Sequence, residues 1–420
     1  MKHPGRQRQT DIYVAGADGR RPRVPVSPDL LEQAALAELS RDAAAYFAGG
    51  AGLERTMAAN RAVFDRHKIV QRMMRDVAKR DLRVELFGRE LPLPFLLAPI
   101  GVLEMAHRQA DIAAARAASA AGIPFVTSSQ SSRPLEDIAQ AIGTGPRWFQ
   151  LYWPSRDELT ESFVHRAERA GYEAIVVTLD TTMLGWRPRD LQRGYLPFLR
   201  ARGIANYISD PVFNRLPGED ARISSRTRPG LGTLKSTFEL LRSYPEEPLR
   251  ALLSGRAQEQ IRRFLAIYSR PNLTWDDLAF LRERTRLPIL LKGILHPDDA
   301  RRAVETGISG IIVSNHGGRQ VDGGVAALDA LPIVADAVEG RLPVLFDSGV
   351  RTGADIIKAL CLGAKAVLIG RPYIYGLALA GEQGVREVID NLAADLDLTL
   401  GLAGRRSLNE LDRSVLAGPC

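Results

Sequence analysis

The chain has 420 residues, with 56 Lys and Arg against 49 Asp and Glu, a formal net charge of +7. That length exceeds the roughly 250 residues of a typical single α/β barrel and leaves room for one barrel with large insertions or for two domains. The arginines are scattered and form no basic and aromatic stripe, so nucleic acid is not an expected partner, and no apolar run is long enough to span a bilayer. Two cysteines, Cys361 and Cys420, suggest neither a disulfide framework nor a metal site. The basic N-terminal segment lacks the apolar core of a signal peptide, so a cytoplasmic protein is expected.

Residues 1–92 read as an arm followed, from residue 27, by helices packed at the end of what comes next, with Tyr46 in AAAYFAGGAG just before a glycine-rich helix stop. Then eight short apolar runs appear: FLLAP (95–99), PFVTSS (124–129), RWFQLY (147–152), AIVVTLD (174–180), PILLKG (288–293), GIIVSN (310–315), PVLFDSG (343–349) and AVLIGRP (366–372). Between most of them lie amphipathic stretches such as DIAAARAASAAG and RTGADIIKALCLG, each closed by glycine. Apolar strands alternating with such helices imply a parallel sheet covered on both faces, and eight units imply an α/β fold of the (β/α)8 TIM barrel type over 93–400. A C-terminal tail follows over 401–420. Strand starts are 22 to 33 residues apart except once, after the fourth strand, where the gap is 114. An insertion at about 185–260, rich in Arg, Pro and Gly, fills it and is read either as a lid over the site or as a subunit contact.

In such a barrel the active site lies at the C-terminal ends of the strands. Those ends are polar here: Pro99-Ile100-Gly101, Ser128-Ser129, Gln150-Leu151-Tyr152, Thr178-Leu179-Asp180, Lys292-Gly293, Ser314-Asn315-His316, Asp347-Ser348-Gly349 and Gly370-Arg371. A single polar strand end is most often a satisfied cap or ion pair, but eight together point to a site. DSGVRTGAD and LIGRP suit a phosphate, because glycines admit backbone N–H groups, a helix starts at TGAD, and Arg351 and Arg371 add charge. Lys292 would then be a fixed cation beside the rest of that ligand, able to stabilise negative charge on a flavin ring; its plain alternative is an ion pair with Asp347 or Asp180. In SNHGGRQVDGG, His316 has Asp180 available to fix its tautomer, the arrangement of a general base. Arg319 and Arg187 are suited to gripping a carboxylate.

SNHGGRQ, DSGVRTGAD, IGRPYIYGLA, FQLYW, TLDTTMLGWR, LKGI and YFAGGAG resemble the motifs of the FMN-dependent α-hydroxy-acid oxidases and dehydrogenases, from about residue 27 to 400. Through APIG, RPRDLQRGYLPFLR and GILHPDDARRAV the chain is most similar to the lactate 2-monooxygenase branch. The resemblance implies FMN as cofactor, a small 2-hydroxy acid and oxygen as substrates, and a homotetramer or homo-octamer. It makes His316 the base and Asp180 its partner, gives the substrate carboxylate to Arg187 and Arg319, and gives substrate oxygens to Tyr46 and Tyr152. The flavin would be held by Pro99, Ile100, Gly101, Ser128, Gln150, Thr178, Lys292 and Ser314. Its phosphate would be held by Asp347, Ser348, Gly349, Arg351, Gly370 and Arg371. Two departures stand out: Ser348 replaces the more common glycine, and TTML follows Asp180. The expected outcome is lactate oxidation to acetate, carbon dioxide and water, with an oxidase or dehydrogenase releasing the 2-oxo acid as the alternative. Gly101 is expected to leave room for product beside the flavin. An isomerase acting on a phosphorylated substrate would need only the phosphate site, and the His316, Arg319 and Arg187 set argues against it.

Overall fold

Each of the eight apolar runs forms a strand in the computed structural model, which describes residues 4–217 and 254–417. They are β1 (Phe95–Leu97), β2 (Phe125–Ser128), β3 (Arg147–Leu151), β4 (Ile175–Thr178), β5 (Ile289–Ile294), β6 (Gly310–Val313), β7 (Val344–Phe346) and β8 (Ala366–Ile369). All neighbours run parallel, and the barrel closes where Val367 of β8 pairs with Phe95 of β1. The runs are continuous in hydrophobicity because both strand faces are buried. Phe95, Leu97, Phe125, Phe149, Ile175, Val177 and Phe346 belong to the cluster shared with the surrounding helices. Leu96, Val126, Trp148, Val176, Leu290, Ile312, Leu345 and Leu368 form a separate cluster, the barrel interior. Burying each large side chain is worth about 1.5–3 kcal/mol. Val84, Leu86 and Leu91, from a short hairpin (Val84–Leu86 and Arg89–Leu91), join this interior cluster and close its N-terminal end.

Helix boundaries follow the local signals. The helix Ala110–Ala121 stops at Gly122 with φ +69, and the helix Gly353–Cys361 starts from a capping box between Thr352 and Asp355. Cys361 is buried in that helix, and Cys420 lies outside the described residues. The extension contributes the helices Pro28–Glu38, Arg41–Ala48 and Arg55–Ala62. The arm also holds a helix, Pro4–Ala17, which docks on the long helix Arg371–Leu402: Gly5 N donates to Asp397 Oδ2, which also pairs with Arg80. The tail returns to the extension, its strand Leu416–Ala417 pairing with Lys68–Ile69.

The insertion differs from a loose loop. Its first part holds the short helices Pro188–Gln192, Ala205–Ile208 and Pro211–Arg215 and is bolted to the barrel. Asn206 is fully buried; its amide donates to Ser128 O, Ser129 O and Ser131 Oγ and its oxygen accepts from Leu135 N. Arg166 pairs with buried Asp210 at 3.0 Å. Breaking these would strand buried polar groups at about 1–3 kcal/mol each, so this part is a fixed wall. Residues 218–253 of the expected lid lie outside the described residues. Among the described residues no helix is long and apolar enough to cross a membrane.

Candidate active site

Strand pleating decides which side chains meet at the barrel mouth. Two residues beyond Val126, Trp148, Val176, Leu290, Ile312 and Leu345 of the interior stand Ser128, Gln150, Thr178, Lys292, Ser314 and Asp347. Alternate residues of a strand share a face, so the apolar filling ends in a polar ring, and all six are buried. Lys292 is its cation: Nζ donates to Ser314 Oγ at 2.8 Å and lies 3.3 Å from Asp347 Oδ2 and 3.8 Å from Asp180 Oδ2. Burial opposes the charge, but Asp347 and Asp180 more than offset it, so the ammonium persists with a raised pKa. Gln150 Oε1 accepts from Ser128 Oγ at 3.1 Å and from Ser129 N at 3.3 Å. Gln150 Nε2, Thr178 Oγ1 and Asp180 Oδ2 are buried without a hydrogen-bond partner among the described residues. Such orphaned atoms fit a ligand edged with hydrogen-bonding heteroatoms, as a flavin ring is.

The next step outward carries Tyr152, Asp180 and His316. His316 Nδ1 lies 2.7 Å from Asp180 Oδ1, and Thr181 Oγ1 donates to the same oxygen at 2.9 Å. The carboxylate therefore holds Nδ1 protonated and leaves the lone pair on Nε2, which is 3.5 Å from the Tyr152 hydroxyl. Burial lowers the His316 pKa, assisted by Lys292 and only partly countered by Asp180, so the imidazole is neutral at neutral pH. For Asp180, burial is outweighed by His316 and Lys292, which hold the carboxyl well below its usual range. Gly293, at φ +110 on an irregular point of β5, permits this approach, since a Cβ there would sit 3.0 Å from Asp180 Cβ.

Arg187 and Arg319 stand on the wall of the same cleft. Arg187 Nη2 donates to Gln320 Oε1 at 2.8 Å and Nε to Arg319 O at 3.2 Å, while Arg319 Nη1 donates to Gly49 O at 2.7 Å. Burial, then the neighbouring Arg187, pushes the Arg319 pKa down to about 9. Two buried guanidinium groups that raise each other's electrostatic energy are suited to a carboxylate. Tyr46 lies under Arg319, 5.2 Å from ring centre to guanidinium carbon.

At the β7 and β8 ends, Ser348 adopts φ +81. The left-handed backbone favours glycine, and here the serine side chain compensates: Oγ donates to Asp347 Oδ1 at 2.7 Å and accepts from Gly317 N at 3.0 Å. The phosphate expectation divides between the two arginines. Arg371 uses three N–H groups on the carbonyls of Phe47, Gly317 and Gly49, stapling the extension to the His316 loop. Among the described residues the Arg351 side chain donates only to its neighbour's carbonyl, Val350 O, and burial with Arg371 nearby pushes its pKa down to about 10, so it keeps more donors for a ligand than Arg371 does.

Pro99, Ile100, Gly101, Tyr46, Tyr152, Lys292, Asp347, Ser348, Gly349, Arg351, Gly370, Arg371 and His316 all line this cleft with the two carboxylate-binding candidates. Ser128, Gln150, Thr178, Asp180 and Ser314 are not part of its lining. Thr181 and Leu184 of the TTML segment and Phe198 of the RPRDLQRGYLPFLR segment also line it, as do Gln130 and Tyr268, which were not singled out from the sequence. Gln130 had a signal, standing two residues past Ser128 as Tyr152 does past Gln150. Tyr268 had none, because it stands past the expected insertion, at the end of the helix Arg256–Ile267.

Comparison with known proteins gives one family model, described as FMN-dependent dehydrogenase, that matches residues 35–418. The chain is 44% identical over 409 residues to an FMN-dependent alpha-hydroxy acid dehydrogenase of Penicillium citrinum, covering 97% of this chain and 94% of the relative. It is 42% identical over 381 residues to an L-lactate oxidase of Lysinibacillus sphaericus, covering 91% and 90%. Among solved structures, mandelate oxidase superposes with a TM-score of 0.75 at 36% identity, covering 94% of this chain and 98% of that one. A mandelate oxidase mutant solved with an FMN adduct superposes at 0.74 and 35% identity, covering 92% and 97%. With the family model covering residues 35–418 and these relatives spanning nearly all of both chains, the chain belongs to the FMN-dependent dehydrogenase family.

Proposed function

We propose that the protein oxidises a small L-2-hydroxy acid to the 2-oxo acid and passes the electrons to oxygen. The observation that carries this reading is His316, neutral and with the Nε2 lone pair beside the Tyr152 hydroxyl, in one cleft with Arg187 and Arg319. Bound FMN supplies an acceptor for two electrons. Gln150, Thr178 and Lys292 would hold its ring and Arg351 its phosphate. Arg187 and Arg319 bind the carboxylate and orient the hydroxyl-bearing carbon. His316 Nε2 takes the proton, and Asp180 stabilises the imidazolium that results. Lys292 keeps a positive charge where the flavin gains a negative one.

The finer reading concerns peroxide. If it forms beside a retained 2-oxo acid, it attacks the keto carbon, and the C–C bond breaks to give the shorter carboxylate, carbon dioxide and water; lactate would yield acetate. The resemblance of APIG and RPRDLQRGYLPFLR to the lactate 2-monooxygenase branch supports this outcome, whereas Gly101 opens no room of its own, since a Cβ there would stand 3.0 Å from Gln130 Cβ. The relatives named as oxidases support release of 2-oxo acid and peroxide. Anaerobic stopped-flow reduction of the flavin by a panel of 2-hydroxy acids tests the oxidation. Aerobic turnover with peroxide and carbon dioxide measured together tests the fate of oxygen: stoichiometric peroxide rejects the monooxygenase, and reduction without oxygen turnover favours a dehydrogenase.

A further inference from the structure

We propose that Gln130 and Tyr268 select 2-hydroxy acids whose side chain bears a neutral hydrogen-bonding group, such as a hydroxyl, over acids of the same shape with an apolar side chain. This rests on the 2-hydroxy acid reading above. The backbone of Gln130 is pinned, its N donating to Ser128 Oγ at 3.1 Å and its O accepting from Val102 N at 2.9 Å. Two residues beyond the polar ring, its side chain belongs to the layer of Tyr152 and His316 and lines the same cleft. The residue is only 8% exposed, yet its carboxamide has no hydrogen-bond partner among the described residues. The Tyr268 hydroxyl on the same wall likewise has no partner among the described residues. An amide and a phenol that open to the cleft without a partner from the protein are placed to pair with a ligand group there.

The two are linked along one wall. A Cβ on Gly101 would stand 3.0 Å from Gln130 Cβ and 3.5 Å from its Oε1, so the glycine lets the Gln130 side chain close on the backbone of the first strand end. A Cβ on Gly203 would stand 3.0 Å from Gln130 O and 3.4 Å from the Phe198 ring, whose centre is 6.2 Å from that of Tyr268. Phe198 and Leu184 give this wall an apolar ground against which two polar groups stand out. The proposed role of Arg187 and Arg319 commits both to the substrate carboxylate, and Lys292 lies between two aspartates. A neutral partner therefore fits the carboxamide and phenol better than a second carboxylate does.

The test uses the flavin-loaded protein and two pairs of near-isosteric substrates: glycerate against 2-hydroxybutyrate, and 2,4-dihydroxybutanoate against 2-hydroxypentanoate. Anaerobic flavin reduction gives the rate divided by the dissociation constant for each. One neutral hydrogen bond should favour the hydroxyl-bearing member of at least one pair by roughly 3–10-fold. Gln130→Leu and Tyr268→Phe, each checked for flavin content, should bring that ratio towards one; Tyr268→Phe removes a single oxygen and serves if the first variant does not fold. Rapid reduction with no preference in either pair overturns the proposal, as does a preference that both variants retain. Failure of all these acids, and of lactate and mandelate, to reduce the flavin overturns the 2-hydroxy acid reading itself and this proposal with it.

Discussion

Asp180→Asn isolates what the carboxylate does for the imidazole. In the parent, Asp180 Oδ1 lies 2.7 Å from His316 Nδ1, and the ring becomes positive only as Nε2 takes the substrate's proton. Asparagine keeps an oxygen for the Nδ1 proton and removes the charge. A hydrogen bond to a charged group is worth about 1.5–3 kcal/mol, and losing it only in the transition state slows the step by roughly 10–150-fold. Stopped-flow flavin reduction at saturating substrate measures this directly, and the dissociation constant should move much less. The pH profile supplies a second readout. Asp180 raises the His316 pKa against burial, so without its charge that pKa falls further and the acid limb of the rate shifts to lower pH. Reduction within twofold of the parent, or an acid limb displaced to higher pH, would falsify the assignment of His316 as a base supported by Asp180.

Arg319→Met should weaken binding of a substrate or a non-reacting 2-oxo acid by roughly 10–150-fold, through loss of a charge-assisted contact; spectral titration of the oxidised flavin measures it, and unchanged affinity rules out carboxylate binding there. Arg351→Ala should yield protein with less FMN and a raised dissociation constant on reconstitution, read by recovery of flavin fluorescence quenching, whereas undiminished FMN affinity would leave the phosphate to other groups. Asp111, fully buried with Oδ1 unpaired, has its pKa pushed up to about 7 by burial, from 3.8. A folded state that holds the proton more tightly than the unfolded one loses stability as pH rises between those values. Asp111→Asn should therefore gain stability relative to the parent at pH 8 compared with pH 5, by up to about 3 kcal/mol; denaturation midpoints that shift in parallel at both pH values would contradict this.

Much of the architecture is legible in the chain because its signals are local. A strand buried on both faces must be apolar throughout, a helix needs a cap and a stop, and a pleat of period two puts Ser128, Gln150, Thr178, Lys292, Ser314 and Asp347 on the face of the interior residues before them. The polar ring and the HGG loop after β6 follow from that periodicity alone. The helix within the arm carries no comparable signal: few of its residues are buried, and it is fastened through Asp397 on a helix nearly 400 positions away.

Partnership between distant segments is what the linear order does not determine. Arg371 sits in a phosphate-like motif, yet three of its donors close on carbonyls of Phe47, Gly49 and Gly317, because the extension folds over the barrel mouth and leaves those carbonyls to be satisfied. The insertion reads as an open stretch rich in Arg and Pro, yet Asn206 and Asp210 bolt its first part to the barrel through buried hydrogen bonds. Phe198 and Tyr268 join Gln130 on one wall although 70 residues separate the two aromatics. The linear order is enough for the barrel and its polar mouth, since each is set by neighbours one or two positions away. Only the tertiary structure decided which of those charges stay unneutralised and which uncharged groups complete the wall, because burial and pairing depend on segments that meet only once the chain has closed on itself.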